Sequence, residues 1–165
     1  MDHPKQALVV VTYSGSLWLQ DCLDSLSGVK YPVHICWSED GAYDPEGLYY
    51  AERMGLESFI LLQDSMIVKD HSIFDIVADI PNCKIANQMF LGKFTAPYNL
   101  PPKPTSKGEA IDMETFWYTP KEWETICPEF TDTEVFEEKN GRMNMVLENK
   151  YFKKFKGHWG QHIYP

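Results

Sequence analysis

Three short apolar runs near the start of this sequence each end in side chains that can bind a polar ligand. The three endings are Thr12-Tyr13-Ser14, Glu39-Asp40-Gly41 and Gln63-Asp64-Ser65. A carboxylate such as Asp64 at the end of a buried run is unfavourable unless it is paired or binds a metal. A divalent cation such as Mg²⁺ or Mn²⁺, bound to a diphosphate, is the natural partner. The alternatives are that Asp64 caps a helix starting near Ser65 and that Asp40 is a turn residue before Gly41.

The usual glycine-rich phosphate-binding motifs are missing: the sequence has no GxxxxGK[ST], and no GxGxxG follows the first apolar run. A nucleotide would therefore be held by carboxylates and a metal. Four lysines near the C-terminus alternate with aromatic residues, a pattern that fits a phosphate-bearing ligand and a solvated helix face equally well. The lysines are Lys150, Lys153, Lys154 and Lys156. His158 and His162 are candidate metal ligands, although a single histidine is more often a packing residue.

The elements that must position these groups alternate along the first 65 residues. Continuous apolar or β-branched runs predict strands, and apolar residues at helical spacing predict helices. The predicted strands are Ala7–Thr12, Val33–Trp37 and Phe59–Leu62, and the predicted helices are Leu19–Leu26 and Leu48–Met54. This order predicts an α/β domain with a mostly parallel sheet flanked by helices. Ligands of such sheets bind at the carboxyl ends of the strands, so we expect one pocket lined by all three endings.

The second half of the chain has a less regular pattern. It predicts strands at 84–91 and 111–118, an extended proline-rich loop at 96–108, and a short helix starting at Thr119-Pro120. After Asn140-Gly141, apolar residues at helical spacing from Met143 to Tyr151 predict a further helix. No repeat or linker divides the chain. We therefore expect a single domain, 1–165, with a donor-binding half at 7–92 and an acceptor-binding, metal-completing half at 93–165.

Composition and charge exclude several classes of protein. An apolar content of 44% and an aromatic content of 14% exclude a disordered chain. The net charge of −9 argues against sequence-independent nucleic-acid binding, and the charge is uneven. Residues 109–138 hold 10 acids against Lys121 alone, and residues 139–165 are basic. The acidic run 129–138 is most simply a solvated surface. We expect no membrane span or secretory signal, and four reduced cysteines, hence a cytoplasmic protein.

The segments LVVVTYS, LWLQDCLDSL, VHICWSEDG and FILLQDSMIV resemble, in order and spacing, the donor half of a GT-A fold glycosyltransferase close to family 2. The resemblance covers about residues 7–70. It implies that Thr12, Tyr13 and Ser14 line a nucleoside pocket. It also implies that Asp40, with Gly41, contacts the base or ribose.

The same resemblance assigns the metal and the catalytic groups. Asp64 would face Mn²⁺ or Mg²⁺ on the donor diphosphate, and Met66 stands where the family has a second metal-binding Asp. His158 matches the C-terminal histidine that often completes the metal site, and Lys154 and Lys156 would stabilise the departing diphosphate. The base that activates the acceptor would come from an acidic pair before a helix. Glu138 is favoured within the pair Glu137-Glu138, with Asp132 and Glu134 as rivals.

The function expected from this resemblance is transfer of a hexosyl or pentosyl group from a nucleotide-diphosphate donor, typically a UDP-sugar, to an acceptor hydroxyl. The acceptor would be a glycan, a small molecule or a modified nucleic acid. A nucleotidyltransferase is an alternative, but it needs a basic glycine-rich loop, and Tyr13-Ser14-Gly15-Ser16 has no Lys or Arg. The other alternative is an inactive module that only binds a nucleotide-sugar.

Overall fold

The computed structural model describes residues 6–38, 44–79, 91–98, 100, 133–139 and 141–155 of the 165-residue chain. The described residues form an α/β domain with more strand than helix. The elements follow in the order β1 (Gln6–Thr12), α1 (Leu19–Ser25), β2 (Val33–Trp37), α2 (Asp44–Arg53), β3 (Ser58–Gln63), β4 (Met66–Val68), α3 (Ser72–Ala78), β5 (Gly92–Thr95), β6 (Thr133–Lys139), β7 (Arg142–Glu148) and β8 (Phe152–Phe155).

The first sheet has the strand order β2-β1-β3-β5. β1 pairs in parallel with β2 on one side and β3 on the other, whereas β5 pairs antiparallel with β3. Helices α1 and α3 pack on the sheet face of Leu8 and Val10, and α2 packs on the face of Val9 and Val11. All residues of β1 are therefore buried, which is why its sequence is an unbroken apolar run.

The second sheet, β4-β8-β7-β6, is antiparallel throughout. The two-residue turn Asp64-Ser65 connects it to the first sheet, because β3 ends at Gln63 and β4 begins at Met66. Leu147 and Phe152 of the second sheet lie in the same buried cluster as Leu8 and Val10 of the first. The two sheets thus share one core.

Two predictions from the sequence are wrong. A mostly parallel sheet was predicted, but four of the six strand pairings among the described residues are antiparallel. The segment from Met143 to Leu147 is not a helix but lies in β7, which pairs with β6. Gly141 has φ +74°, a left-handed conformation that glycine adopts readily and that tight hairpin turns require. Met143, Met145 and Leu147 alternate onto one face of this strand, although Met143, Val146, Leu147 and Tyr151 also have helical spacing.

Both helices predicted in the first half are confirmed, and α2 begins four residues earlier than expected. Gly28 and Gly55, just after α1 and α2, have φ of +82° and +69°. The strand predicted at 84–91 lies outside the described residues except for Leu91, which directly precedes β5, and the elements predicted at 111–118 and from Thr119-Pro120 lie wholly outside them. The expected division at 92/93 falls within β5, and β4 of the first half pairs with β8 of the second. None of the three described helices is long and apolar enough to cross a membrane.

Candidate functional site

The carboxyl ends of β1 and β3 flank the point where the sheet changes its direction of winding. From β1 the chain passes along one sheet face through α1 to β2, and then along the opposite face through α2 to β3 on the other side of β1. In an open α/β sheet the ligand crevice forms at such a switch point, outside the carboxyl ends of the strands. The fold therefore locates a candidate site between Thr12 and Asp64.

Thr12 and Asp64 bond to each other across this switch point. The Thr12 hydroxyl donates a hydrogen bond of 2.7 Å to Asp64 Oδ2. Backbone bonds extend the pairing of β1 to its last residue, since Asp64 N donates to Val11 O at 3.2 Å and Ser38 N donates to Thr12 O at 2.7 Å. Thr12 and Ser38 are buried, and Asp64 is 9% exposed. The three strand ends thus meet at one edge, as predicted from the sequence.

A buried lysine from the second sheet reaches the same turn. Lys154 is 1% exposed, and its Nζ donates to Ser65 Oγ. Phe155 N donates to Ser65 O at 2.9 Å, so β8 ends beside the turn that carries Asp64. Lys154 is therefore part of the site, and the alternative of a solvated helix face is wrong for it. Its strand neighbour Lys153 instead binds Glu137 Oε1 at 2.9 Å.

The pKa of the Cys22 thiol, on α1, depends on two charged groups of the site. The pKa of the Cys22 thiol is raised to about 12, mainly by burial and in part by the Asp64 carboxylate, while the Lys154 ammonium acts to lower it. Asp64 and Lys154, which come from different sheets, therefore both act on this one thiol. Cys22 and Cys36 are buried, free thiols, as the sequence predicted for them; Cys83 and Cys127 lie outside the described residues. The thiolate of Cys22 is strongly disfavoured, so Cys22 is not a nucleophile at neutral pH.

Apolar side chains are exposed beside this polar group. Three large aromatic side chains of the described residues are exposed, namely Tyr13, Trp37 and Phe136, and the first two lie at the carboxyl ends of β1 and β2. Trp37 is 53% exposed and is the register partner of Thr12, so both side chains point to the same sheet face. Ligand sites commonly combine aromatic walls with a few polar groups in this way.

Asp64 was predicted to be either a metal ligand or a helix cap, and the structure excludes the helix cap. Asp64 does not cap a helix, because its turn leads directly into β4. Met66, which stands where the family has a second metal-binding Asp, is fully buried in the core. The described residues contain no group of three or more His, Cys, Asp or Glu side chains that could hold a metal ion. By themselves they do not form a metal site, and Asp64 would need a further ligand from elsewhere.

Glu137 and Glu138 lie in β6, not before a helix as predicted. In the second sheet, β6 and β4 are opposite edges with β8 and β7 between them. At the usual spacing of neighbouring strands the two edges are about 14 Å apart. The ion pair with Glu137 raises the pKa of the Lys153 ammonium above its usual value. Glu138 is exposed. The described geometry therefore does not bring this pair to Asp64.

Of the other predicted site residues, Tyr13 and Ser14 are exposed just after β1. Asp40, Gly41, Lys156 and His158 lie outside the described residues, as does Asp132. Sequence reasoning missed Ser38 and Trp37, and it included Ser65 only as part of the polar ending Gln63-Asp64-Ser65, without its bond to Lys154. Trp37 could have been found as a bulky residue adjoining one of the three polar endings, but Ser65 gains its role only from the pairing of β4 with β8.

Comparison with protein-family models, with curated protein sequences and with solved structures gave no significant match to this chain.

Proposed function

We propose that this chain is a glycosyltransferase of GT-A type, moving a hexosyl or pentosyl group from a UDP-type sugar donor to an acceptor hydroxyl. The observation that carries the proposal is the Thr12–Asp64 hydrogen bond across the switch point of the first sheet. It puts a carboxylate at the place where α/β folds bind nucleotides. The same proposal is supported by the polar ending of β1, by the single acid that follows β3, and by the resemblance of residues 7–70 to a donor half.

In this proposal the donor lies along the carboxyl edge of the first sheet. The diphosphate faces the turn at Asp64. The buried ammonium of Lys154, which donates a hydrogen bond to Ser65 in this turn, supplies positive charge nearby. Tyr13 and Trp37 offer apolar surface for the nucleoside, beside the polar backbone of Ser14. Asp40 and Gly41, which follow β2, are assigned to the base or ribose, and Lys156 to the departing diphosphate.

A divalent ion, Mn²⁺ or Mg²⁺, is proposed to bind between Asp64 and His158. When bound, it would supply positive charge to the diphosphate as the leaving group departs. The position of β8 supports a metal ion shared by Asp64 and His158. Its last residue, Phe155, donates a hydrogen bond to Ser65, the neighbour of Asp64, and precedes His158 by only three positions. No catalytic step is derived from the ion, because the described residues supply only the Asp64 carboxylate.

The acceptor is proposed to be a glycan, a small molecule or a modified nucleic acid, activated by a carboxylate of β6. Glu138 is preferred over Glu137 because it is exposed and forms no ion pair with the described residues, whereas Glu137 is held by Lys153. The free thiols of Cys22 and Cys36 support the proposed cytoplasmic location.

Donor hydrolysis tests this proposal, because an active transferase releases some sugar to water when no acceptor is present. The protein is incubated with UDP-glucose, UDP-galactose, UDP-N-acetylglucosamine and UDP-xylose, each with Mn²⁺, and the free sugar is measured. We expect release from one donor, abolished in Asp64→Asn and retained in Asp24→Asn, which changes an exposed carboxylate on α1.

The other outcomes contradict the proposal in distinguishable ways. Donor binding without hydrolysis or transfer would identify an inactive binding module. Release of pyrophosphate from a nucleoside triphosphate and a sugar 1-phosphate would identify a nucleotidyltransferase. Equal activity of Asp64→Asn and wild type would place the donor elsewhere. With an acceptor in hand, Glu138→Gln is expected to lower transfer while leaving donor binding unchanged.

A further inference from the structure

One face of the β6–β7 hairpin exposes large apolar side chains far from the switch point. Phe136 is 67% exposed and Met143 is 66% exposed, and Met145 is also exposed. Large contiguous apolar patches on a protein surface commonly mark a binding site for another molecule.

The strand register places these side chains side by side. Phe136 is paired with Met145, and Glu138 with Met143. Because side chains alternate along a strand, Phe136, Met143 and Met145 share one face with the carboxylates Glu134 and Glu138. We call these five residues the hairpin face. Toward β8 the same side of the sheet continues into the core through Leu147, so the hairpin face is the uncovered end of a core-forming surface.

The charge of the hairpin face is of one sign. Its two titratable residues, Glu134 and Glu138, are both acidic and exposed. The basic residues of the hairpin, Lys139 and Arg142, alternate onto the opposite face, where Lys139 pairs with Asp21 of α1. A ligand of this face therefore meets apolar surface between carboxylates, and positive charge on the ligand is favoured.

We propose that the hairpin face binds a cationic amphipathic segment of a partner protein. The unbranched, flexible side chains of Met143 and Met145 adapt readily to such a segment. Two other occupants are disfavoured by charge. A second copy docked face to face would bring Glu134 and Glu138 against the same residues of its partner. An anionic lipid surface would be repelled by both carboxylates. The proposal does not rest on a nucleotide bound beside Asp64, although the hairpin face includes Glu138, which is proposed above to activate the acceptor.

The test uses the full chain and a fluorescent synthetic peptide of about 18 residues, with leucine and lysine placed to form an amphipathic helix. A second peptide with every lysine replaced by glutamate controls for charge. Binding is measured by fluorescence anisotropy at about 50 mM and about 300 mM NaCl. The variants are Phe136→Ser with Met143→Ser, Glu134→Gln, and Met54→Ser as a matched control, since Met54 is an exposed methionine after α2.

We expect the lysine peptide to bind and the glutamate peptide not to bind. The double serine variant should bind at least about tenfold more weakly at both salt concentrations, as for the loss of central contact residues, whereas Met54→Ser should stay within about twofold of wild type. Glu134→Gln should weaken binding mainly at low salt. Equal binding by wild type and the double variant would overturn the proposal. So would self-association of the wild type that the double variant loses, or preference for vesicles of anionic lipid over the peptide.

Discussion

Replacing Thr12 by valine removes one hydroxyl from the candidate site and nearly preserves the side chain's shape. Thr12 is buried and donates 2.7 Å to a carboxylate that is itself 9% exposed. A hydrogen bond to a charged group contributes about 1.5–3 kcal/mol to stability. In a chain of this length, 1 kcal/mol shifts the melting temperature by about 2–4 °C. Thr12→Val should therefore lower the free energy of unfolding by about 2 kcal/mol and the melting temperature by about 4–8 °C.

The assay is thermal and urea unfolding followed by circular dichroism. Thr133→Val serves as the control, because Thr133 is exposed at the start of β6 and should change stability by less than about 0.5 kcal/mol. A double-mutant cycle with Asp64→Asn should give non-additive losses, since the two side chains contact each other. If Thr12→Val unfolds with wild-type stability, or if the two losses add fully, the bond does not hold the strand ends together and the reasoning is refuted.

Three further variants or probes test the packing and the titration of the described residues. Gly47→Ala should lower the free energy of unfolding by about 1 kcal/mol in a urea titration, because a methyl there would lie 2.8 Å from Leu61 Cδ1 and overpacking outweighs the gain in helix propensity; wild-type stability would contradict this. Burial raises the pKa of the Tyr98 hydroxyl to about 12, and Tyr98 donates to Leu56 O at 2.5 Å. The stability contributed by the neutral Tyr98 hydroxyl is therefore complete below pH 10 and is lost between about pH 10 and pH 12. Tyr98→Phe should lose less stability than wild type over this pH range in a urea titration. Parallel curves of stability against pH would contradict the raised pKa of Tyr98. Iodoacetamide should leave Cys22 unmodified in the native protein and label it in denaturant, as read by mass spectrometry of its peptide; rapid native labelling would contradict its raised pKa.

Much of the first sheet could be predicted from local sequence, because burial on both faces left a clear pattern. Each residue of β1 is buried, and only a strand covered on both sides has such an unbroken apolar run. Thr12 and Asp64 were placed together for a related reason, since both directly end strands that the order of elements makes neighbours. Here, topology and local pattern pointed to the same contact.

The second sheet was not predicted, because its strands pair over long distances in sequence and the apolar pattern of β7 also fits a helix. Met143, Val146 and Leu147 fit a helical stripe, and the strand pairing that overrides it depends on β6, whose exposed face is partly acidic. Lys154 was expected either near a phosphate or on a solvated helix face, and the pairing of β8 with β4 instead buries it in a strand against Ser65. No local pattern indicates a register between residues 66 and 154, so this contact could not be predicted from the sequence.

The central claim is that a nucleotide diphosphate binds at the switch point beside Asp64. It is tested most directly by thermal melting with UDP, GDP, CDP and ADP, each with and without Mn²⁺, on wild type, Asp64→Asn and Asp24→Asn. At 100 times its dissociation constant a ligand adds about 2.7 kcal/mol, equivalent to about 5–10 °C here. We expect a shift of this size for UDP with Mn²⁺ in wild type and Asp24→Asn, and its loss in Asp64→Asn. The same shift in Asp64→Asn, or no shift with any of the four nucleotides, would overturn the proposed nucleotide site.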